Sequence, residues 1–232
     1  MKKRLAILFL CILSLFTTSL KAQDFFSTED APTFFSFGAR LGFNTSNRSF
    51  PSGHFNLWNN NSWGTGFNLG VLANLNFKDY LSVQPGIFFE SRSGNFSYIT
   101  DYIDSNAVIS EFNQFGHWRG YYFTIPIMGV VKFNLSENIK WSVEFGPYFQ
   151  FSLKQSGQKD LVVFDRLPTP GFFTPHPASL NSFDFGFKMG TGLTFNQHYY
   201  VGVHYLAGAC NAWGTPSGGK NKSWMFTIGY DL

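Results

Sequence analysis

The last ten residues of the chain alternate between large apolar side chains and smaller or polar ones. The apolar positions are Trp224, Phe226, Ile228, Tyr230 and Leu232. The positions between them are Ser223, Met225, Thr227, Gly229 and Asp231. A repeat of two residues is the period of an extended strand, whereas a helix repeats about every 3.6 residues. The segment therefore predicts a β-strand with one apolar and one polar face.

Seven further segments carry the same alternation, which gives eight predicted strands in all. They are residues 36–43, 67–77, 81–89, 121–133, 141–151, 182–195 and 199–206. Short turns, at 78–79, 136–138 and 196–198, alternate with long loops, at 44–63, 94–118, 157–181 and 208–222. An even strand number with connections sorted by length is typical of outer-membrane barrels, whose closed sheet leaves no edge unpaired. We predict an all-β fold, an eight-stranded antiparallel up-and-down transmembrane β-barrel.

The composition indicates that the apolar faces of these strands contact lipid. Phe, Tyr and Trp make up 20% of the chain and charged residues 13%, whereas about a quarter of a soluble domain is charged. Beyond the N-terminus, no stretch of about 18 apolar residues could form a membrane-spanning helix. Aromatic residues are also expected at both rims, where they would anchor the barrel among lipid headgroups. One rim has Phe77, Phe133, Phe195, Tyr199 and Tyr230, and the other Trp63, Tyr121, Phe151, Phe183 and Trp224.

Residues 1–22 have the pattern of a cleaved signal peptide. A positively charged start is followed by an apolar run over 5–16, and Ala22 offers a small residue for cleavage before Gln23. The run is too short to span a bilayer as a helix, and an uncleaved anchor would still place the rest outside the cytoplasm. We predict a signal peptide at 1–22, a short N-terminal periplasmic segment at 23–33 and an outer-membrane β-barrel domain at 34–232.

Charge and cysteine content exclude several kinds of partner. The chain has 17 Lys and Arg against 14 Asp and Glu, but residues 1–22 hold four of the cations and no acid. Taking four from 17 leaves 13 basic groups against 14 acidic ones, so no nucleic-acid partner is expected. Cys11 leaves with the signal and Cys210 remains alone, which excludes an internal disulfide and a cysteine metal cluster. Because no metal-ligand spacing or phosphate-binding loop is present, we predict no cofactor.

Several short motifs resemble those of the PorT-like outer-membrane β-barrel family of Bacteroidetes. They are Phe37-Gly38-Ala39-Arg40-Leu41-Gly42-Phe43-Asn44, Leu81-Ser82-Val83-Gln84-Pro85-Gly86, Ile125-Pro126-Ile127, Glu144-Phe145-Gly146-Pro147-Tyr148, Phe185-Gly186-Phe187, Gly190-Thr191-Gly192 and Ile228-Gly229-Tyr230. The resemblance covers nearly all of the chain after the signal. It implies an outer-membrane location and an eight-stranded barrel. Most members of this family have no assigned activity, and one namesake branch is tied to secretion.

If the apolar faces meet lipid, the opposite faces place a balanced set of charges inside the barrel. The set is Arg40, Glu90, Arg92, Lys132, Glu144, Asp184, Lys188, His204 and Asp231. An eight-stranded barrel is just wide enough for its own side chains. We therefore predict an ion-paired interior plug, in which each charge has a partner, rather than an open pore.

Three prolines complicate this assignment. Pro85, Pro126 and Pro147 fall inside predicted strands, and each removes a backbone donor from a sheet that has no free edge. Bulges at these positions would be the expected remedy, and a bulge inverts the facing of the residues beyond it. The inward facing of Glu90, Arg92 and Lys132 is the most sensitive to this effect.

The predicted function is that of a non-enzymatic surface or scaffold protein, or a component of envelope assembly. The long loops combine Asn and Ser with aromatic residues, a composition of protein-contact or sugar-stacking surfaces. The candidate contact residues are Trp58, Trp63, Tyr98, Tyr102, Trp118, Phe172 and Phe173. An alternative is that they pack on one another or extend the barrel wall. The expected partners of this monomeric barrel are outer-membrane lipid and an envelope protein or surface glycan.

Two other functions remain open at the level of sequence. One is a narrow, porin-like channel of low conductance, although an ion-selective lumen would need an excess of one charge. The other is a lipid-modifying hydrolase, which needs a Ser or a Ser–His pair beside a carboxylate at the membrane. His204 points inward with no Ser assigned to a matching depth. The remaining candidates, in loops, are His54, His117 and His176.

Overall fold

The structure is a computed structural model that describes residues 25–49, 60–103, 109–161, 181–211 and 219–232. Eight antiparallel strands follow in chain order, and β1 also pairs with β8, which closes the barrel. The strands are β1 (Phe35–Ser49), β2 (Asn60–Lys78), β3 (Leu81–Ile103), β4 (Ile109–Ser136), β5 (Ile139–Leu161), β6 (Phe183–Phe195), β7 (Tyr199–Asn211) and β8 (Lys220–Asp231). The predicted eight-stranded antiparallel barrel is confirmed. The described part of the chain contains no helix long and apolar enough to cross a membrane.

Side-chain burial alternates along the strands, as a period of two residues requires. Large apolar side chains point outward: Leu41, Val71 and Ile228 are 52%, 60% and 58% exposed. The inward positions hold mostly polar and charged side chains, and these are buried. An apolar exterior around a polar interior is the arrangement of a barrel that is surrounded by lipid.

The two ends of the barrel differ in their connections. At the short-turn end, residues 79–80, 137–138 and 196–198 join consecutive strands. At the opposite, long-loop end, the strands extend further than the sequence predicts. Several predicted loop positions are part of strands, so those loop assignments are wrong. They are residues 44–49, 60–63, 94–103, 109–118, 157–161, 208–211 and 220–222. The reason is that strand ends outside the lipid have no apolar face, while their backbone pairing continues.

Three neighbouring strands rise above the others at the long-loop end. β3, β4 and β5 have 23, 28 and 23 residues, whereas β6, β7 and β8 have 13, 13 and 12. β3 and β4 stay paired as far as Ile103 and Ile109, but the pairing of β5 with β6 stops at Phe151 and Phe183. We call the upper parts of these strands, residues 98–103, 109–119 and 154–161, the β3–β5 wall.

The strand prolines do not shift the register of the sheet. Pro85, Pro126 and Pro147 each pair with the residue that faces them, and each ladder resumes in the same register on both sides. The bulges predicted at these prolines are therefore wrong. The register shifts lie instead at 63–68, 76–78, 121–122, 134–136 and 207–211. A proline removes a single donor, and the paired residues around it keep the strands aligned.

Residues 25–34, which we call the N-terminal strap, lie against the short-turn end of the barrel. The backbone carbonyl of Phe25 accepts a hydrogen bond from the Asn134 amide at 2.9 Å. The Phe25 ring stacks on Phe133 with 5.1 Å between ring centres. Lys78 donates to Asp30 at 2.5 Å, and this hydrogen bond lowers the pKa of the Asp30 carboxyl. The strap is thus held against the rim by backbone, aromatic and charged contacts.

The lumen as the candidate functional site

The lumen holds the charged residues that the sequence places inside the barrel. Seven of the nine are buried: Arg40, Glu90, Arg92, Glu144, Asp184, Lys188 and His204. Lys132 and Asp231 line the lumen near the short-turn end and are partly buried. Glu90, Arg92 and Lys132 keep their inward facing because the register continues unbroken past the strand prolines.

Glu144, on β5, is the centre of a hydrogen-bonded cluster inside the barrel. Its Oε2 lies 2.9 Å from Nε2 of His204. Its Oε1 accepts hydrogen bonds from the hydroxyls of Tyr200 at 2.7 Å and Ser142 at 2.9 Å. Both carboxylate oxygens are therefore engaged. Nδ1 of His204, in contrast, is buried without a hydrogen-bond partner among the described residues.

Arg40, on β1, connects this cluster to the short-turn end. Its Nη2 lies 2.8 Å from a carboxylate oxygen of Asp231. Its guanidinium carbon lies 4.2 Å from the centre of the Tyr200 ring, a cation–π contact with a residue that donates to Glu144. The ion pair joins β1 to β8, the two strands whose pairing closes the barrel.

Glu90 and Arg92 form a salt bridge deep in the lumen. They lie two residues apart on β3, so both face inward, and Arg92 Nε donates to Glu90 at 2.8 Å. Each side chain is 1% exposed. Tyr148, Leu206 and Met225, from β5, β7 and β8, form a cluster in which no member exceeds 1% exposure. These five side chains fill the barrel between its two ends.

Asp184, on β6, organises the lumen near the long-loop end. Its carboxylate accepts hydrogen bonds from the Tyr148 hydroxyl at 3.2 Å and from the Asn221 amide at 2.9 Å. It also accepts one from the backbone amide of Cys210 at 3.2 Å. Asp184 therefore ties β6 to β5, β7 and β8 on the inside of the barrel, which is a structural role.

Most of the free space in the lumen, for the part of the chain that the structure describes, lies at the short-turn end. A cavity of about 310 Å³ lies at the short-turn end, lined by rim residues, by residues 31–33 of the strap and by Arg40, Glu144 and Tyr200. The cavity near Asp184 measures only about 10 Å³, no more than one water molecule needs. Between the two lies the packed cluster of Tyr148, Leu206 and Met225.

A closed eight-stranded sheet with an apolar exterior and a polar, filled lumen agrees with the result of comparison with known families. The family model described as outer membrane protein beta-barrel domain matches residues 22–208. The chain belongs to this family. This membership places the protein in the bacterial outer membrane. Comparison with curated proteins gives no match.

Three solved structures are among those that this outer-membrane barrel resembles. Ail, the attachment invasion locus protein of Yersinia pestis, in complex with the heparin analogue sucrose octasulfate, is 15% identical; the match covers 86% of this chain and 100% of Ail, with a TM-score of 0.40. OprG from Pseudomonas aeruginosa is 12% identical over 89% and 99% of the two chains, with a TM-score of 0.40. Neisserial surface protein A is 12% identical over 84% and 96%, with a TM-score of 0.39.

Arg48 is a buried charged residue of this outer-membrane barrel that was not among the predicted lumen residues. Arg48, predicted to lie in a loop, ends up near the top of β1 and is 3% exposed. Its guanidinium carbon lies 4.0 Å from the Trp118 ring centre, and its Nη2 donates to Gln155 at 3.0 Å. Trp118 is 5% exposed, so its assignment to an exposed contact surface is wrong. Parity is the signal that could have found both, since 48 and 118 continue the even, inward positions of β1 and β4.

The other predicted contact residues are distributed between the sheet and undescribed segments. Trp63 lies on β2 and is 43% exposed. Tyr98 and Tyr102 lie on β3 rather than in a loop, and only their backbone is described. The residues outside the described part are Trp58, Phe172 and Phe173.

Among the described residues, no serine is hydrogen-bonded to His204, whose ring nitrogen Nε2 contacts Glu144 and the Tyr200 hydroxyl. The Ser142 hydroxyl donates to Glu144 rather than to His204, and His204 is buried in the lumen, away from the lipid. His117 is exposed on β4. The remaining two candidates, His54 and His176, lie outside the described residues. Within the described ranges, no group of three or more His, Cys, Asp or Glu could hold a metal ion.

Proposed function

We propose that this protein is a non-enzymatic surface or scaffold component of the cell envelope, with a lumen that serves structure rather than transport. The observation that carries this proposal is the packed middle of the barrel. Tyr148, Leu206 and Met225 are at most 1% exposed, and the Glu90–Arg92 pair is buried beside other inward side chains. A solute has no continuous path past them. In this proposal the short turns face the periplasm and the long-loop end faces outward, as is usual for such barrels.

The β3–β5 wall supports a role at the surface. A strand that crosses the hydrocarbon layer needs about 9–11 residues, so β4, with 28, extends well beyond it. Pairing of β3 with β4 continues to Ile103 and Ile109, which makes the upper part an ordered sheet rather than a loose loop. We propose that this wall contacts an envelope protein or a surface glycan, and that the barrel itself is a monomer surrounded by lipid.

A narrow channel is the first alternative, and conductance distinguishes it. We expect the barrel, reconstituted in a planar lipid bilayer, to give no discrete conductance steps because its middle is packed shut. A conducting porin inserted under the same conditions shows that the bilayer can report an open lumen. A reproducible step with each insertion of this protein would favour the channel and contradict the proposal.

Shortening the β3–β5 wall tests the proposed contact surface. Residues 99–113 are replaced by Asn-Gly, so that Tyr98 and Gln114, which face each other in the ladder, close a two-residue hairpin. We expect a partner that copurifies from native outer membranes with the wild-type protein to be lost from this variant. Unchanged heat-modifiable migration on gels shows that the barrel still folds. Recovery of the wild-type barrel alone, or equal recovery of the partner with both proteins, would contradict the proposal.

Two finer assignments belong to the same proposal. The Ser142 hydroxyl donates a hydrogen bond to Glu144. This supports the proposal that the protein is not a lipid-modifying hydrolase. The motifs quoted from the sequence support a place among the PorT-like barrels of Bacteroidetes, with residues 1–22 removed as a signal peptide. Processing is checked by mass spectrometry of the protein isolated from outer membranes, where we expect the chain to begin at Gln23.

A further inference from the structure

The cavity at the short-turn end has more cationic donors than it has carboxylates to receive them. It measures about 310 Å³ and is lined by Lys132, Arg40, Glu144 and Asp231. A second cavity of about 20 Å³ lies next to it, deeper in the lumen. Arg40 and Glu144 line both cavities, and Lys188 lines the inner one. We call these two neighbouring cavities the pocket; Lys132 lines the outer one and Lys188 the inner one.

The carboxylates that line this pocket are already engaged. Glu144 is bound by His204, Tyr200 and Ser142 at 2.7–2.9 Å. Asp231 is paired with Arg40 at 2.8 Å. Asp79, at the rim, is paired with Lys140. Asp231 and Asp79 are thus paired with fixed cations, whereas Glu144 is hydrogen-bonded by groups that carry no fixed positive charge.

Lys132 and Lys188 differ from these carboxylates because neither forms an ion pair among the described residues. Lys132 donates to the side-chain oxygen of Asn76 at 2.9 Å, and no carboxylate of the described residues lies within 4.0 Å of its ammonium. Lys188 is 6% exposed and has no hydrogen bond or ion pair among the described residues; its ammonium lies 4.8 Å from the Phe88 ring centre. A lysine ammonium has three donors, and a buried charge is normally paired. Two lysine charges therefore face one carboxylate, Glu144, that has no fixed cation partner, and this excess of positive charge favours the binding of an anion.

The remaining lining defines what kind of anion would fit. Gln84 lines both cavities and its side chain makes no hydrogen bond within the described residues, so its amide is free to contact a ligand. At about 310 Å³ the outer cavity is large enough for a small solute and not only for single water molecules. Residues 31–33 of the N-terminal strap form part of its wall.

We propose that this pocket is a binding site for a small organic anion, which carries a carboxylate or phosphate group and enters from the short-turn end. Lys132 and Lys188 supply the charge and Gln84 a neutral hydrogen bond. The site goes beyond the proposed scaffold function and does not depend on it, because a blind pocket can bind a solute without conducting it.

Titration calorimetry of the refolded full-length barrel in a neutral detergent at low ionic strength tests the site. The probes are citrate and inorganic phosphate. Glycerol, which has the three-carbon chain of citrate but no charge, is the neutral probe. We expect one equivalent of at least one anion to bind with a dissociation constant below about 1 mM, and glycerol not to bind. Which of the two anions binds identifies the carboxylate or the phosphate as the preferred group.

Lys132→Met and Lys188→Met are the test variants, and Lys154→Met, at an exposed position on β5, is the matched control. Because neither test lysine has a carboxylate of the described residues within 4.0 Å, its removal breaks no direct ion pair, and both variants are expected to fold. We expect affinity to fall at least tenfold in the test variants and to stay unchanged in the control; a fall in one test variant alone places the anion at that end. The absence of binding by both anions, or equal affinity in all three variants, would overturn the proposal.

Discussion

Replacing Glu90 by leucine is expected to destabilise the barrel by about 3–5 kcal/mol, since removing one partner of a buried ion pair leaves the other charge uncompensated. Arg92 is 1% exposed, its Nε donates to Glu90 at 2.8 Å, and its Nη1 has no hydrogen-bond partner among the described residues. Water cannot take the place of the lost carboxylate in so closely packed a region. Urea unfolding of the protein in lipid vesicles, followed by tryptophan fluorescence and by heat-modifiable gel migration, measures the change.

Two controls separate the buried charge from other effects of the substitution. The double variant Glu90→Leu, Arg92→Met removes both charges and is expected to recover most of the lost stability, because apolar replacement of a whole buried pair is often neutral. Asp30→Asn breaks an ion pair whose side chains are 44% and 85% exposed, and no measurable change is expected there. If Glu90→Leu unfolds at the same urea concentration as the wild type, Arg92 is hydrated and the lumen is not packed as described.

The facing of the strands was predictable from the sequence because the period of a strand is two residues. A shift of one residue would send a whole apolar face into the lumen, so the alternation of Phe37, Leu41 and Phe43 with polar neighbours leaves a single choice. A bulge at a strand proline would have inverted the facing of the residues beyond it, yet the ladder resumes in register past Pro85 and Pro126. Local loss of one donor is a smaller cost than turning an apolar face inward.

The ends of the strands and the top of the lumen could not be predicted in the same way. Above the lipid, outward positions no longer need to be apolar. Residues 44–49 are therefore all polar, and this segment resembles a loop in the sequence. Arg48 and Trp118 lie far apart in the chain, and their stacking at 4.0 Å follows only from the positions of β1 and β4 around the barrel. Which charge pairs with which partner in the lumen is likewise a property of the closed sheet.

Replacing Gly146 by alanine is the second substitution for which we expect a large effect. Gly146 faces inward on β5, where a Cβ atom would lie far inside van der Waals contact with the Ile127 carbonyl oxygen and 2.8 Å from its carbon. Both obstructing atoms belong to the backbone of β4, so no side-chain rotation can make room. We expect a loss of at least about 1–3 kcal/mol, the usual cost of overpacking, measured by the same urea unfolding.

Gly129→Ala is the matched control, because Gly129 lies on the neighbouring strand and a Cβ there would meet only the Phe145 carbonyl oxygen at 3.5 Å, an ordinary contact. The two variants make the same change to the unfolded chain, so its lost flexibility contributes equally to both and cancels in their difference. What remains is the clash in the folded state, together with the smaller gain, below about 1 kcal/mol, from the methyl group that Gly129→Ala places on the outer face. Equal stability of the two variants would mean that β4 and β5 can separate at Gly146 without cost, which a closed sheet with a packed lumen does not allow.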